Sequence, residues 1–240
     1  MKIACARARA RTHTHTKVFA LWMEIMKRVP KSTLTLLALP EDARPNLRNA
    51  VEASLGGGGG AHTRLYFAEY LTRSEHLVRA SMATVFLDTL LVNAHTTAMD
   101  VVWAGLPLVT TADTRFASRV AASILVAAKC AHTLARSQRD YVDVAVRLAS
   151  SSSAGAQVRH CLSQARAAAT RAAASQARRE EHGAGGDSGR ALFDTEQWVR
   201  GLERLLGNLW DLHAGGGGGG GGGAVHARAR TQAFHVVSAA

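Results

Sequence analysis

The chain has 240 residues and a formal net charge of +11, a length that allows one large domain or two small ones. Its three cysteines, Cys5, Cys130 and Cys161, are far apart and form no CxxC pair, which fits a reduced compartment and excludes a disulfide framework and a zinc ribbon. Because no run of about 18 apolar residues occurs, we expect no transmembrane helix and no membrane partner.

The positive charge is concentrated in three segments. Residues 1–17 and residues 159–179 each contain five Lys or Arg side chains and no acid, and the tail adds Arg228 and Arg230. Together these cations exceed the net charge, so the rest of the chain is close to neutral. Aromatic residues are not interleaved with them, which disfavours a specific nucleic-acid site and leaves weak electrostatic binding open.

Three segments lack the apolar period that a packed core requires. Residues 1–17 alternate Ala-Arg and Thr-His, which predicts a disordered low-complexity arm. Glycines fill residues 56–60 and dominate the start of residues 214–240, which we expect to be a flexible insert and a disordered tail. Residues 150–189 are rich in Ala, Ser and Arg and predict a weakly packed helix and linker.

Residues 18–149 show alternating helix and strand signals. In chain order these are a helix over Val18–Val29 stopped by Pro30, a strand over Thr33–Leu39, a helix from Pro45 through Ser54, a strand over Arg64–Ala68 and a short helix to Ala80 that opens with a Thr72–Glu75 capping box. The alternation predicts an α/β fold, a Rossmann-like parallel sheet with helices on both faces, plus C-terminal helices.

The segment that follows has the most specific signals. Thr84–Leu87 is typical of a buried parallel strand, and the loop Thr89–Ala94 comes at its carboxyl end, where open α/β sheets bind ligands. Apolar spacing predicts a helix over Thr96–Ala104, which Gly105 and Pro107 terminate.

Two explanations fit the polar residues at the start of that helix. Thr97 and Asp100 have the spacing of a capping box, which would satisfy the first N–H groups of the helix without any ligand. His95 directly before the helix, with Thr96 beside it, instead favours an anion site at those N–H groups.

The run Asn93–Thr110 (NAHTTAMDVVWAGLPLVT) closely resembles the nucleotide-sugar lobe of the protein O-GlcNAc transferases, where an N-[GA]-H-T-T-x-M-D-V-x-W-A-G-x-P-x-V-T run binds the UDP of UDP-GlcNAc. The segments 21–30, 71–79 and 192–205 resemble the same family. The resemblance implies the C-terminal lobe of a GT-B glycosyltransferase, and it implies that residues 190–213 form a helix that packs back on the lobe.

The resemblance also implies a UDP site on this lobe. Its members would be Arg73, His76, Arg79, His95, Thr96, Thr97 and Asp100. His76 would lie against the uracil ring and Arg79 would contact the base, while Arg73 replaces a ribose-contacting lysine and Asp100 matches the ribose-binding carboxylate. The remaining three would form the diphosphate cradle. Without the resemblance, the three side chains of residues 73–79 read as a solvated helix face.

Several features depart from the family pattern. Ala10 and His13 stand where the family has a phosphate-contacting Gln and Lys, on a strand and loop that this sequence does not predict. Ala98 replaces a glycine near the phosphates. The family's N-terminal catalytic lobe and tetratricopeptide repeats have no counterpart in these 240 residues. We therefore expect a partial chain that is not active alone.

The resemblance implies an inverting transfer of GlcNAc from UDP-GlcNAc to Ser or Thr of intracellular proteins in the nucleus and cytoplasm. The donor would be bound without a metal or other cofactor, since no DxD-type acidic pair is present, and the acceptor would bind the N-terminal lobe. No catalytic residue is assigned in this chain. The alternatives are a catalytically inactive sugar-nucleotide-binding or interaction module, a basic RNA- or DNA-associating protein, and an organelle-targeting role for the Arg-rich N-terminus.

Overall fold

The computed structural model of the chain describes residues 2–5, 16–37, 41–56, 60–182, 192 and 195–215. The strands among them are β1 Lys2–Cys5, β2 Thr33–Leu37, β3 Leu65–Ala68, β4 Val85–Leu87, β5 Leu108–Thr111 and β6 Leu134–Ala135. The α-helices are α1 Thr16–Arg28, α2 Ala43–Leu55, α3 Arg73–Ser81, α4 Thr96–Trp103, α5 Val120–Ala127, α6 Gln138–Ser150, α7 Ser152–His182 and α8 Thr195–Gly215. Short 3₁₀ turns are found at Ala61–Arg64, Phe116–Ser118 and Ala131–Thr133.

The strands form one sheet in the order β3-β2-β1-β4-β5-β6, and every pairing is parallel. This is the order of a doubly wound sheet, and it confirms the predicted α/β fold. The strand order reverses between β1 and β4, where Ile3 pairs with Leu34 on one side and with Val85 on the other. Ligands of such sheets bind at the carboxyl ends of the strands next to the reversal, and the loop after β4 begins there.

The disordered arm predicted for residues 1–17 is wrong at both of its ends. Lys2–Cys5 form the strand at the reversal, hydrogen-bonded to β2 and β4, and α1 begins at Thr16 rather than at Val18. A strand paired on both edges obtains its order from its neighbours and needs no pattern of its own. Residues 6–15, which include Ala10 and His13, lie outside the described residues, as do residues 57–59 of the glycine insert and residues 216–240.

The core between the sheet and its helices contains Trp22 of α1 and Tyr141 of α6, both fully buried. The Trp22 indole N–H donates to the Tyr141 hydroxyl at 3.3 Å, and that hydroxyl donates to the backbone carbonyl of Asp88 at 2.8 Å. An ion pair between Arg28 and Asp143 at 2.6 Å joins the same two helices at the surface. The α1–α6 packing is thus connected directly to the end of β4.

Within residues 150–189, Ser152–His182 form helix α7, whose first half contacts the rest of the fold through a few residues. Val158 and Leu162 are buried, and the Arg159 guanidinium donates to the carbonyl of Ala83 at 2.8 Å. The cysteine spacing predicted a reduced compartment and no disulfide framework, but Cys161 is disulfide-bonded to Cys130 with a Cα–Cα distance of 5.9 Å. The fold brings together two cysteines that are 31 residues apart in sequence.

The chain divides into two compact units, residues 1–171 and residues 172–240. The first contains the sheet, and the second contains α8, which confirms the predicted C-terminal helix. The packing of that helix on the lobe stays a prediction. Among the described residues, no helix combines the length and the apolar character needed to cross a bilayer.

Candidate functional site

A cavity of about 970 Å³ lies between the sheet and helices α3 and α4. Six of the seven predicted site residues line it, namely Arg73, His76, Arg79, Thr96, Thr97 and Asp100. The seventh, His95, directly precedes α4. Residues 73–79 and 95–100 are separated in sequence and come together because α3 packs against α4.

The α3 side of the cavity is fixed by a capping box, as predicted. The Thr72 hydroxyl accepts from the backbone N–H of Glu75 at 3.4 Å, and the Glu75 carboxylate accepts from the backbone N–H of Thr72 at 2.9 Å. The Thr72 hydroxyl also donates to Oε2 of Glu75 at 2.7 Å, and this hydrogen bond, together with the one from the Thr72 backbone N–H, lowers the pKa of Glu75. The start of α3 is therefore closed by its own side chains, while Arg73 and His76 line the cavity.

Arg79 is anchored beside His76 on the same helix face. Its guanidinium donates to the Glu69 carbonyl at 2.7 Å, and its second terminal nitrogen lies 3.5 Å from Nδ1 of His76. These contacts hold a cation next to the imidazole at the cavity wall. The side chains of residues 73–79 are thus more than an unconnected solvated helix face.

Asp100 is held by Arg73, across the gap between the two helices. Oδ1 of Asp100 accepts from Nε of Arg73 at 3.1 Å and from Nη2 at 3.0 Å. The Asp100 side chain is 12% exposed, whereas that of Arg73 is 79% exposed. The carboxylate therefore has a fixed position at the cavity wall, with a mostly exposed cation covering it.

The predicted Thr97–Asp100 capping box is wrong. The N-cap of α4 is His95, and no side chain caps that helix among the described residues. Because α4 begins at Thr96, Asp100 is the fifth helical residue, two positions beyond the third residue from which a side chain reaches the N-cap backbone. Its carboxylate pairs with Arg73 instead, and the first turn of α4, which lines the cavity at Thr96 and Thr97, has no side-chain cap among the described residues.

His95 is positioned by the 3₁₀ turn Phe116–Ser118. Its Nε2 lies 3.3 Å from the Ala117 carbonyl, and its ring meets that of Phe116 edge-on at a centroid distance of 6.4 Å. Since a carbonyl oxygen only accepts, this contact requires the proton on Nε2. The Ala117 carbonyl also accepts from the backbone N–H of Asn93 at 2.7 Å, so one residue anchors two points of the loop.

Asp88 is a site-supporting residue that the sequence analysis missed. Its Oδ1 accepts from the backbone N–H groups of Thr89 at 2.8 Å and Ala94 at 2.7 Å, and its Oδ2 accepts from the Thr110 hydroxyl at 2.7 Å. Burial, the largest effect, raises the pKa of Asp88 to about 7, although these hydrogen bonds act in the opposite direction. The sequence signal that could have identified Asp88 is an acidic residue directly after an apolar strand.

The C-terminal end of α4 is held from behind by α7. Gly105 terminates the helix with φ +74°, which confirms the predicted stop. Arg159 donates to the Gly105 carbonyl at 3.4 Å and to the Thr84 carbonyl at 3.3 Å, and Arg166 donates to the Trp103 carbonyl at 3.2 Å. Nothing in the local sequence signals these contacts.

Ala98, which stands where the family pattern has a glycine, is fully buried in the first turn of α4. Among the described residues, no group of three His, Cys, Asp or Glu side chains could hold a metal ion. Binding of the donor without a metal stays a prediction.

Residues 12–177 match glycosyl transferase family 41. The chain is 34% identical over 197 residues to the UDP-N-acetylglucosamine–peptide N-acetylglucosaminyltransferase of Caenorhabditis elegans, covering 82% of this chain and 15% of that protein. It is 33% identical over 196 residues to the probable UDP-N-acetylglucosamine–peptide N-acetylglucosaminyltransferase SEC of Arabidopsis thaliana, covering 81% and 18%. The chain thus spans less than a fifth of the length of these curated relatives.

A solved structure gives the same result for the fold. The chain is similar to a mutant O-GlcNAc transferase of Thermobaculum terrenum, with a TM-score of 0.59 and 27% identity. The match covers 68% of this chain and 31% of that one. The predicted GT-B type of lobe is confirmed.

Proposed function

Because the chain belongs to glycosyl transferase family 41, we propose that it is the UDP-GlcNAc-binding lobe of a protein O-GlcNAc transferase. One observation carries the proposal: the uncapped start of α4 shares a cavity with the Arg73–Asp100 pair and the His76–Arg79 pair. A single pocket therefore combines N–H donors, a fixed carboxylate, cations and an imidazole, which are the groups that a nucleoside diphosphate requires.

The diphosphate would lie at the N-terminus of α4. There the N–H groups of Thr96 and Thr97 and the positive end of the helix dipole face negative charge, with His95 beside them. That charge grows as the bond between the sugar and the diphosphate breaks, so the same groups stabilise the leaving UDP more than the bound donor. A preorganised donor of this kind contributes roughly 10²- to 10³-fold to the rate.

The nucleoside would extend from the diphosphate toward α3. Asp100 would accept from a ribose hydroxyl, and the hydrogen bonds from Arg73 hold the carboxylate in position. The imidazole of His76 and the guanidinium of Arg79 would recognise the base. Arg73 binds as a planar fork and not as a point charge, so it differs from a lysine in how it holds the ribose.

The inverting transfer of GlcNAc to Ser or Thr of nuclear and cytoplasmic proteins belongs to the same proposal. In it, the described residues supply donor binding, and acceptor binding comes from a second lobe. The purified 240-residue chain should then bind UDP and show no transfer of radiolabelled GlcNAc to a Ser/Thr peptide. Robust turnover by the chain alone would contradict the assignment of acceptor binding to a second lobe.

Isothermal titration with UDP tests the site. We expect one site, weakened by both Asp100→Ala and His95→Ala, and unchanged by Glu24→Ala, which removes an exposed carboxylate from α1. If both site variants bind UDP as well as the parent, the assignment is wrong.

The second candidate function is an inactive sugar-nucleotide-binding module. It is favoured by Ala10 and His13, which stand where the resemblance places a phosphate-contacting Gln and Lys. The double substitution Ala10→Gln and His13→Lys should strengthen UDP binding if the site has only lost part of its phosphate contacts. An unchanged affinity would favour a module that binds UDP without contacts from these two positions.

A further inference from the structure

The loop between β4 and α4 is organised by a carboxylate that does not face the cavity. We propose that Asp88 is a positioning residue, which fixes the loop 88–95 and thereby sets the start of α4 in the geometry that receives a diphosphate. This inference rests on the proposed function, because it concerns the same anion site.

The hydrogen bonds of Asp88 close the loop at both ends. Oδ1 accepts hydrogen bonds from the backbone N–H of Thr89, at the start of the loop, and from that of Ala94, directly before His95. Oδ2 receives the hydroxyl of Thr110 on β5, so the closed loop is also attached to the neighbouring strand. The last anchored N–H is thus one residue from the N-cap of α4.

Asp88 acts through the loop and not on a ligand. Its side chain is fully buried, and the residue is not part of the cavity wall. The backbone carbonyl of Asp88 accepts from the hydroxyl of Tyr141, which fixes the residue to α6 from the opposite side. A change at Asp88 would therefore reach a diphosphate by moving His95 and Thr96.

The arrangement depends on hydrogen bonding and not on the negative charge. An amide at this position keeps one oxygen for the two N–H groups and offers an N–H₂ to the Thr110 hydroxyl. That hydroxyl can then donate to the Thr111 carbonyl, which lies 3.3 Å away. The amide variant Asp88→Asn should preserve the loop, whereas Asp88→Ala removes all three hydrogen bonds.

The test is UDP titration of the full chain at a temperature where circular dichroism shows each variant to be folded. We expect Asp88→Ala to weaken UDP binding about tenfold or more, because small displacements of a binding group are costly, and Asp88→Asn to stay within about threefold of the parent. Thr110→Val, which removes the Oδ2 contact alone, should fall between them. Val51→Ala, a buried change in α2, is the control for lost stability with unchanged affinity.

Two outcomes would overturn the inference. One is an Asp88→Ala variant that melts earlier but binds UDP like the parent, which would mean that Asp88 serves stability alone. The other is an Asp88→Asn variant as weak as Asp88→Ala. If Asp88→Ala does not fold, the UDP affinity of Thr110→Val is the deciding measurement. An affinity equal to that of the parent would then contradict the inference. A parent chain that binds no UDP would instead refute the proposed function.

Discussion

Helices α3 and α4 lie side by side at the cavity, yet their N-termini are built in opposite ways. The start of α3 is closed by the reciprocal hydrogen bonds of Thr72 and Glu75. The start of α4 follows His95, and among the described residues no side chain caps it. The first N–H groups of α3 are therefore partly satisfied within the protein, and those of α4 are left for water or a ligand.

The C-terminal ends of the two helices also differ. The C-cap residues Met82 and Ala104 are both in the right-handed region, but only α4 continues into a glycine, Gly105 with φ +74°. Arg159 and Arg166 of α7 donate to carbonyl groups at this end of α4. A helix that is held at its C-terminal end keeps its position without an N-cap, and α4 can leave its N-terminus available to an anion.

The largest effect should come from placing a carboxylate at the start of α4. Thr96→Asp should weaken UDP binding at least about tenfold more than the neutral, isosteric Thr96→Asn, since the new charge occupies the same positive end of the helix. The free energy of unfolding of the acidic variant should at the same time be higher by about 0.3–1 kcal/mol, because a negative charge at a helix N-terminus is stabilising. Titration and urea denaturation measure the two effects. Equal affinities of the two variants would show that no anion binds there.

The largest effect on stability, as distinct from binding, should be the loss of the α7 contacts behind α4. Arg159→Ala leaves the carbonyls of Ala83, Thr84 and Gly105 without this donor and should lower the free energy of unfolding by about 2 kcal/mol. Arg159→Lys, which keeps the charge without the planar fork, should lose less. Urea denaturation compares them. A loss below about 0.5 kcal/mol in the alanine variant would mean that these contacts do not hold α4.

Gly105→Ala should cost about 1 kcal/mol, because an L side chain is strained at φ +74° even though its Cβ would meet no atom within 4 Å. The matched control is Gly155→Ala in α7, where the backbone is helical and alanine should raise stability. Thermal unfolding measures both variants. If Gly105→Ala is neutral, the stop of α4 does not depend on its glycine.

The smallest effect concerns acid and the capping box of α3. Hydrogen bonds from Thr72 hold the pKa of Glu75 below its usual value of 4.5. The capping contribution is therefore complete above pH 4.5 and is lost as the pH falls through the lowered pKa of the folded protein. The difference in unfolding free energy between the parent and Glu75→Gln should shrink in that range. A difference that is independent of pH would show that the carboxylate does not cap α3.

The structure brings the predicted site residues together where one helix contributes neighbouring residues. Residues 73–79 and 95–100 each lie on a short stretch whose polar spacing is visible in the sequence, and the structure brings both to one cavity. The capping box at Thr97 would require Thr97 to be the N-cap, whereas the N-cap is His95, and this shift of two positions places Asp100 beyond the third helical residue, from which a side chain can cap. Asp88 was missed because its partners at Ala94 and Thr110 are not adjacent to it in the chain.

By itself the sequence determined those features that depend on neighbours along the chain. The capping box at Thr72, the stop at Gly105 and the alternation of helices with strands follow from hydrogen bonds and apolar periods within a few residues. The tertiary structure alone decided that Lys2–Cys5 complete the sheet and that Cys130 meets Cys161. Their order comes from partners far away in the chain, and such partners are chosen by the topology, which no local pattern records.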